Sequence, residues 1–339
     1  NVVHACKYHR NPILRIISLL HFTLFSYSYM KNKKYKLLLG VDAYGITIAG
    51  ILNYFLKTSL IYHSLEILSA KFNYISLKDK NIFERIGYLL HHKIIKLFEK
   101  YFHRKAFVTI IQDKYRWKLL KKINKITNPS EAIFVPNSPL DDRGSVIIDN
   151  DYLRNKYCIS RDIKIVLYAG SLGEWTGIDK VLHSASSWPR EVIFVIHGRG
   201  LPPFIKYLTE TIGNIYFNKV ILSLEQLVEN EYNMLIKSAD IGIVWYYDKE
   251  DPNVYTIGAG SGKLFYYLKF GLPVVSNAWK GLTEIVETNQ CGICVNSESA
   301  IGSAIEKILT NYEFYSNNAI RCFELYEFSY HYQKLIEKI

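Results

Sequence analysis

The sequence predicts an α/β fold of two Rossmann-like, doubly wound domains, and three observations predict it. The chain has 339 residues, enough for two cores of about 100–200 residues each. Short apolar runs alternate with segments whose apolar residues recur every three or four positions, the pattern of parallel strands joined by helices. Small-residue turns follow predicted strands at Gly170 and precede a predicted helix at Gly260, and open α/β sheets bind ligands at such turns.

Hydrophobic residues make up 49% and charged residues 22% of the chain, with no repeat or low-complexity tract, which excludes disordered and solenoid architectures. Residues 1–150 carry 24 Lys and Arg against 10 Asp and Glu, a net +14, while the remainder carries 18 against 21, a net −3. This one-sided basicity suits an anionic membrane face, and equally a solvated basic surface. Zinc-finger spacing, an RNA-recognition aromatic motif and heptads are all missing, so no nucleic-acid partner is expected. The five cysteines form no disulfide framework and fit a reducing cytoplasm. Cys291 and Cys294 have redox or zinc spacing without a second ligand pair, so they read as structural and no metal site is expected.

In the first half, residues 12–30 form an apolar stretch interrupted by Arg15 and His21, which predicts a buried or interfacial helix rather than a membrane span. The sequence starts without Met and shows no signal peptide, so the first strands of this domain are expected to lie upstream. Residues 36–41 and 59–63 read as buried strands flanking a helix over 46–56, which puts Asp42 and His63 at strand carboxyl ends. Residues 82–104 read as a basic amphipathic helix, with Phe83, Ile86, Leu90, Ile94, Leu97 and Tyr101 on one side. That side suits anionic lipid, although covering a sheet is its commoner use. A strand over 106–112, a basic helix over 115–126 and a short strand over 133–135 follow.

Between Pro139 and Asp162 the periodicity fades, which predicts a linker and a domain boundary at 150/151. The second domain, 151–325, is predicted to have strands at 163–169, 192–197, 214–217, 241–245, 273–276 and 293–295. Helices are predicted at 178–187, 203–211, 232–238, 262–270 and 282–288, and residues 326–339 as a helix returning to the first domain.

Two glycine-rich turns carry the clearest chemistry. Gly170, Ser171 and Gly173 follow the first strand of the second domain, and Gly258, Gly260, Ser261, Gly262 and Lys263 open a later helix. Small residues there admit backbone N–H groups to a phosphate, the helix dipole holds it, and Lys263 adds a charge-assisted contact.

Residues 261–276 (SGKLFYYLKFGLPVVS), followed by Gly281-Leu-Thr-Glu-Ile-Val286 and Cys291-Gly292, resemble the donor-site signature of glycosyltransferase family 4. Residues 168–172, 177–179 and 238–242 are similar to the same family's opening and middle strands, and 108–116 with 135–137 to its first domain. The resemblance implies the GT-B fold, two domains facing across a cleft, with an acceptor-binding domain at 1–150 and a nucleotide-sugar-binding domain at 151–325. It also implies retaining transfer from a nucleotide-diphosphate sugar, with no metal and no cofactor other than that substrate. Carried over by position, it implies a role for His63 near the reacting sugar, with Glu66 and Asp42 beside it, and for Glu284 near the donor. Two family glutamates are replaced by Gly258 and Tyr266, and two phosphate-binding cations by Ser171 and Thr176, for which Lys263 and Arg199 are the candidate substitutes. The expected partners are a nucleotide sugar, a saccharide or polyprenyl-linked acceptor and an anionic membrane surface, at the cytoplasmic face of the cell membrane. The departures leave open a catalytically inactive subunit that binds nucleotide sugar or a partner enzyme.

Overall fold

A computed structural model describes residues 11–71, 81–127, 131–144, 149–215, 218–247 and 251–338. The chain divides into two compact units: residues 1–135 with 251–253, and residues 136–250 with 254–339. The division thus falls earlier than the boundary expected at 150/151, and residues to 339 group with the second unit.

In the first unit β1 (Leu37–Val41), β2 (Ser59–His63), β3 (Val108–Ile111) and β4 (Glu131–Phe134) form a parallel sheet in the order β1-β2-β3-β4. The connecting helices are α2 (Asp42–Leu56), α3 (Leu68–Lys71), α4 (Ile82–His103) and α5 (Lys114–Asn124), and α1 (Pro12–Met30) packs on α2 and α4. None of the described helices is long and apolar enough to cross a membrane.

Helix α4 is turned opposite to the commoner expectation. The residues it buries are His91, Ile95, Glu99, Phe102 and His103, whereas Phe83 is 82% and Leu90 55% exposed, with Ile86, Leu97 and Tyr101 exposed beside them. Several of the inward polar atoms find partners, which lowers the cost of burying them. The Tyr62 hydroxyl donates to Glu99 Oε1 at 2.8 Å, Asn124 Nδ2 donates to Glu99 Oε1 at 3.2 Å and to His103 Nδ1 at 2.9 Å, and His103 Nε2 lies 3.0 Å from the Thr109 hydroxyl. Since an amide NH2 only donates, His103 carries its proton on Nε2 and is neutral.

Burial lowers the His103 pKa from 6.5 to about 4. Between these values the unfolded chain binds the extra proton, so stability is full above about 6.5 and falls as the pH drops towards 4. Urea unfolding is expected to show ~2 kcal/mol less stability at pH 5 than at pH 7 from this group. That contribution disappears in His103→Gln.

In the second unit, six parallel strands run β10-β9-β8-β5-β6-β7. They are β5 (Lys164–Ala169), β6 (Val192–His197), β7 (Val220–Ser223), β8 (Ile241–Val244), β9 (Val274–Asn277) and β10 (Gly292–Val295). The helices are α6 (Tyr152–Tyr157), α7 (Ile178–Ser184), α8 (Pro202–Ile215), α9 (Glu229–Lys237), α10 (Pro252–Tyr255, which straddles the division) and α11 (Gly262–Lys269). After them come α12 (Lys280–Val286), α13 (Ile301–Thr310), α14 (Tyr312–Tyr326) and α15 (Phe328–Ile336). Two apolar layers enclose the sheet, one around Leu167, Tyr267 and Leu268 and the other around Val166, Phe194 and Ile305.

Two expectations for this unit are corrected. Of the strand expected at 214–217, Asn214 and Ile215 instead end α8, which buries Leu208 and Ile212, and 216–217 lie outside the described residues; the strand formed is the next apolar run, Val220–Ser223. The expected linker contains α6, anchored by the fully buried Leu153, and its Asp142 pairs with Lys269 of α11, which is 1% exposed. Low apolar periodicity there reflects brevity, since one buried side chain and one ion pair suffice to attach a short segment.

Candidate functional site

The second sheet reverses direction between β5 and β8, so the loops leaving these neighbours diverge and open a crevice at their carboxyl ends. The loop after β5 is held to the loop after β6: Gly170 N donates to His197 O at 3.0 Å and Leu172 N to Arg199 O at 2.8 Å. A Cβ on Gly198 would stand 1.8 Å from Gly170 O, so only glycine permits this approach. Gly170 therefore contributes space at the crevice rather than its amide.

Lys263 fills the edge of that space. Its Cε is 3.5 Å and its Nζ 3.7 Å from where a Cβ would stand on Gly170. The ammonium donates to the Tyr168 hydroxyl at 3.0 Å and lies over the rings of Tyr168 and Tyr246, 4.2 and 4.4 Å from their centroids. Burial among these rings pushes its pKa down to about 7. An ammonium with one neutral hydroxyl as its close partner is poised to receive an anion.

Lys263 is set by the start of α11. Asn137 donates twice, from N to Ala259 O at 2.8 Å and from Nδ2 to Gly260 O at 3.2 Å, fixing the Gly258–Gly260 turn. The Ser261 hydroxyl takes the Leu264 amide and meets the Tyr246 hydroxyl at 2.8 Å. Gly262 and Lys263 follow in the first turn, where helix amides lack intrahelical acceptors. The Gly170 turn and Lys263, more than 90 positions apart in sequence, are thus brought together.

The remaining predicted donor residues are more dispersed. Ser171 is exposed, and its carbonyl accepts from the Tyr168 hydroxyl at 2.8 Å. Arg199 is exposed and donates to Gln226 Oε1 at 2.8 Å. Half-buried Tyr266 packs edge-to-face on Tyr232 with ring centroids 5.4 Å apart. Glu284 is half-buried on α12. Among the described residues no cluster of three or more metal-ligating side chains occurs.

Beyond Tyr246, at the carboxyl ends of β8, β9 and β10, lies a cavity of about 680 Å³. Trp245, Tyr246, Tyr247 and Trp279 form its aromatic walls, with Asn277 and Asn296 among its polar groups. Trp279 and the two asparagines gave no signal in the sequence, because nothing in a sequence brings three strand ends together.

In the first unit, Asp42 starts α2 with φ +53, a left-handed backbone that Asp tolerates better than most residues. Its Oδ1 accepts from Leu65 N at 2.7 Å and Glu66 N at 2.9 Å. Burial raises its pKa, and these two amides oppose the rise. His63 ends β2 opposite Val41 and Ile110, and burial lowers its pKa, favouring the neutral ring. Glu66 is exposed in the same loop, so the three predicted residues share one strand edge.

Three residues without an assigned role build this loop. Arg116, 2% exposed, donates to Leu65 O at 2.8 Å, Asn253 O at 3.2 Å and Asn253 Oδ1 at 3.1 Å. Gln112 Nε2 donates to Ser64 O and Leu65 O at 3.1 Å each. Asn253 pairs with Ile67 as a backbone would, accepting its N–H at 2.8 Å and donating to its carbonyl at 3.1 Å.

Residues 217–339 match the family described as "Glucosyltransferase 3-like, C-terminal domain". No curated protein sequence matches the chain significantly. Among solved structures, the sucrose-phosphate synthase of Thermosynechococcus elongatus superposes with a TM-score of 0.68 at 16% identity, covering 98% of this chain and 81% of that one. HepE of Anabaena, solved with UDP-glucose, gives 0.66 at 14% identity over 96% and 83% of the two chains. WaaG, a glycosyltransferase involved in lipopolysaccharide biosynthesis, gives 0.64 at 16% identity over 98% and 85%. The chain therefore has the GT-B fold of these enzymes, and its residues 217–339 are similar to the Glucosyltransferase 3-like C-terminal domain.

Proposed function

We propose that the chain is a glycosyltransferase of the family 4 type that moves the sugar of a nucleotide-diphosphate sugar onto a saccharide or polyprenyl-linked acceptor, in cell-surface polysaccharide synthesis at the cytoplasmic face of the membrane. The observation that carries this reading is the Lys263 ammonium beside the Gly170 turn, at the point where the second sheet reverses. There it stabilises the negative charge that develops on the leaving diphosphate. The bond from the sugar's anomeric carbon to the β-phosphate oxygen breaks, a bond to the acceptor oxygen forms on the same face, and the acceptor proton passes to the departing phosphate. No strong protein base is required, which suits a neutral His63 used for orientation.

The membrane part of the proposal rests on charge and exposure in the first unit. Exposed Phe83, Ile86, Leu90 and Leu97 on α4 stand among Arg85, Lys93, Lys96 and Lys100, a combination that fits an anionic lipid surface. A second reading, a binding subunit without turnover, is favoured by Tyr266, which packs on Tyr232 where the family places a carboxylate.

Calorimetry with UDP, UDP-glucose, GDP and GDP-mannose, followed by product analysis with saccharide and polyprenyl-phosphate acceptors, tests the proposal. One nucleotide is expected to bind, with sugar transfer of retained configuration. Binding without transfer to any acceptor supports the subunit reading, and no binding of any nucleotide overturns both. Sedimentation with phosphatidylglycerol vesicles is expected to capture the chain and to lose Leu90→Ser with Phe83→Ser.

A further inference from the structure

We infer that the aromatic cavity at the carboxyl ends of β8, β9 and β10 is a saccharide subsite that holds one face of a pyranose ring. This rests on the glycosyltransferase reading and deepens it, since neither the diphosphate contact nor the glycine turns give the second unit a surface for a sugar.

Three observations carry it. The first is the wall: Tyr246 and Trp279, which both line the cavity, lie nearly parallel with centroids 6.3 Å apart and an interplanar angle of 27°, and Trp175, outside the lining, stacks on Tyr246 at 6.4 Å and steadies it. Flat rings in register offer a platform to the C–H face of a pyranose, which is the apolar side of an otherwise hydroxylated molecule. The second is the rim, where Asn277, Asn296 and Glu298 supply amide and carboxylate groups for hydroxyls, the mixture of apolar body and few polar groups that orients a small ligand. The third is a donor without an acceptor: Trp245 lines the cavity at 2% exposure, and its indole N–H has no hydrogen-bond partner among the described residues. A buried N–H left unpaired is costly, so a ligand hydroxyl that reaches it would be favoured, and Trp245→Phe tests whether one does.

The cavity also adjoins the diphosphate position. Tyr246 is a wall of the cavity and at the same time carries the Lys263 ammonium 4.4 Å from its ring centroid, while Trp245 O lies 3.5 Å from that ammonium. A glycosyl group bound through a diphosphate at Lys263 reaches this cavity directly, and so does an acceptor sugar brought to it. The two sources share one chemistry, and the test separates them.

Calorimetry of the full chain with UDP, UDP-glucose and UDP-N-acetylglucosamine is run beside N-acetylglucosamine and methyl α-glucoside added with UDP present. Each is repeated with Trp279→Ala, which removes the platform, and Trp245→Phe, which keeps a ring and removes only the N–H. For a donor sugar, both variants are expected to weaken a UDP-sugar by ~3–10-fold while leaving UDP within about 2-fold. For an acceptor sugar, the free saccharides lose affinity by the same factor and UDP-sugars do not. Either pattern supports the subsite. Unchanged affinities in both variants overturn it, as does an equal loss for UDP, which would make the cavity a nucleobase site. Thermal melting identifies a variant that fails to fold, and saturation-transfer NMR on the unmodified chain then decides, because a bound sugar must receive magnetisation from aromatic protons through its C–H face. Failure of UDP and GDP alike to bind counts against the glycosyltransferase reading, while the free-saccharide arm still decides the cavity.

Discussion

Lys263→Ala is expected to weaken binding of the donor's nucleoside diphosphate by ~10–100-fold, the value of one charge-assisted hydrogen bond to an anion. Transfer should fall at least as far, because charge on the leaving diphosphate grows towards the transition state. The pH dependence follows from the ammonium's lowered pKa of about 7. Only the protonated form attracts phosphate, so affinity is full below that value and declines as the pH rises through it. The decline ends where the bound diphosphate, by its own charge, holds the proton on. Calorimetry at pH 6, 7, 8 and 9 is expected to show the decline in the native chain and a flat profile in Lys263→Ala. A pH-independent native affinity would remove Lys263 from the diphosphate contact.

Arg116→Ala separates the two units' roles. The change removes one of two donors at the Leu65 carbonyl and at Asn253 Oδ1, where Gln112 and the Ile67 N–H remain, and also the Arg116 donor at Asn253 O, and a cost of ~1–3 kcal/mol in the first unit is expected. The loop carrying Glu66, braced also by Asp42, then loses its position beside His63. Displacement of this order lowers the rate of an oriented reaction by ~100-fold. Diphosphate affinity, which depends on residues of the second unit, should be unchanged. A kcat loss with an unchanged nucleotide Kd is therefore expected, and equal losses in both would count against the assignment of Arg116 to the acceptor side.

Much of the fold was legible in the sequence because parallel strands announce themselves as apolar runs bounded by turns. The run at 192–197 and the helix at 12–30 match the structure to the residue. The strand expected at 214–217 was misplaced because the helix whose buried face carries Leu208 and Ile212 runs on through 215, and a short apolar pair at its end imitates a strand. Helix α4 misled more deeply, since its periodicity marked the outer face and its buried face mixes Ile95 and Phe102 with His91, Glu99 and His103. For the candidate site, glycine turns and Lys263 were legible as local chemistry. Arg116, Gln112 and Asn253 were not, because their importance lies in which distant carbonyls they reach.

The inverted helix α4 separates folding from surface chemistry. Its place in the first unit is specified by hydrogen bonds among Tyr62, Glu99, Asn124 and His103 and by contact with α2, so its outward Phe83, Ile86 and Leu90 carry little folding duty. Those positions are free to vary in hydrophobicity without disturbing the sheet beneath. The same freedom makes them the determinants of colloidal behaviour: away from whatever surface they meet, they favour self-association as the protein is concentrated, and polar replacements there would raise solubility while the core keeps its cooperativity.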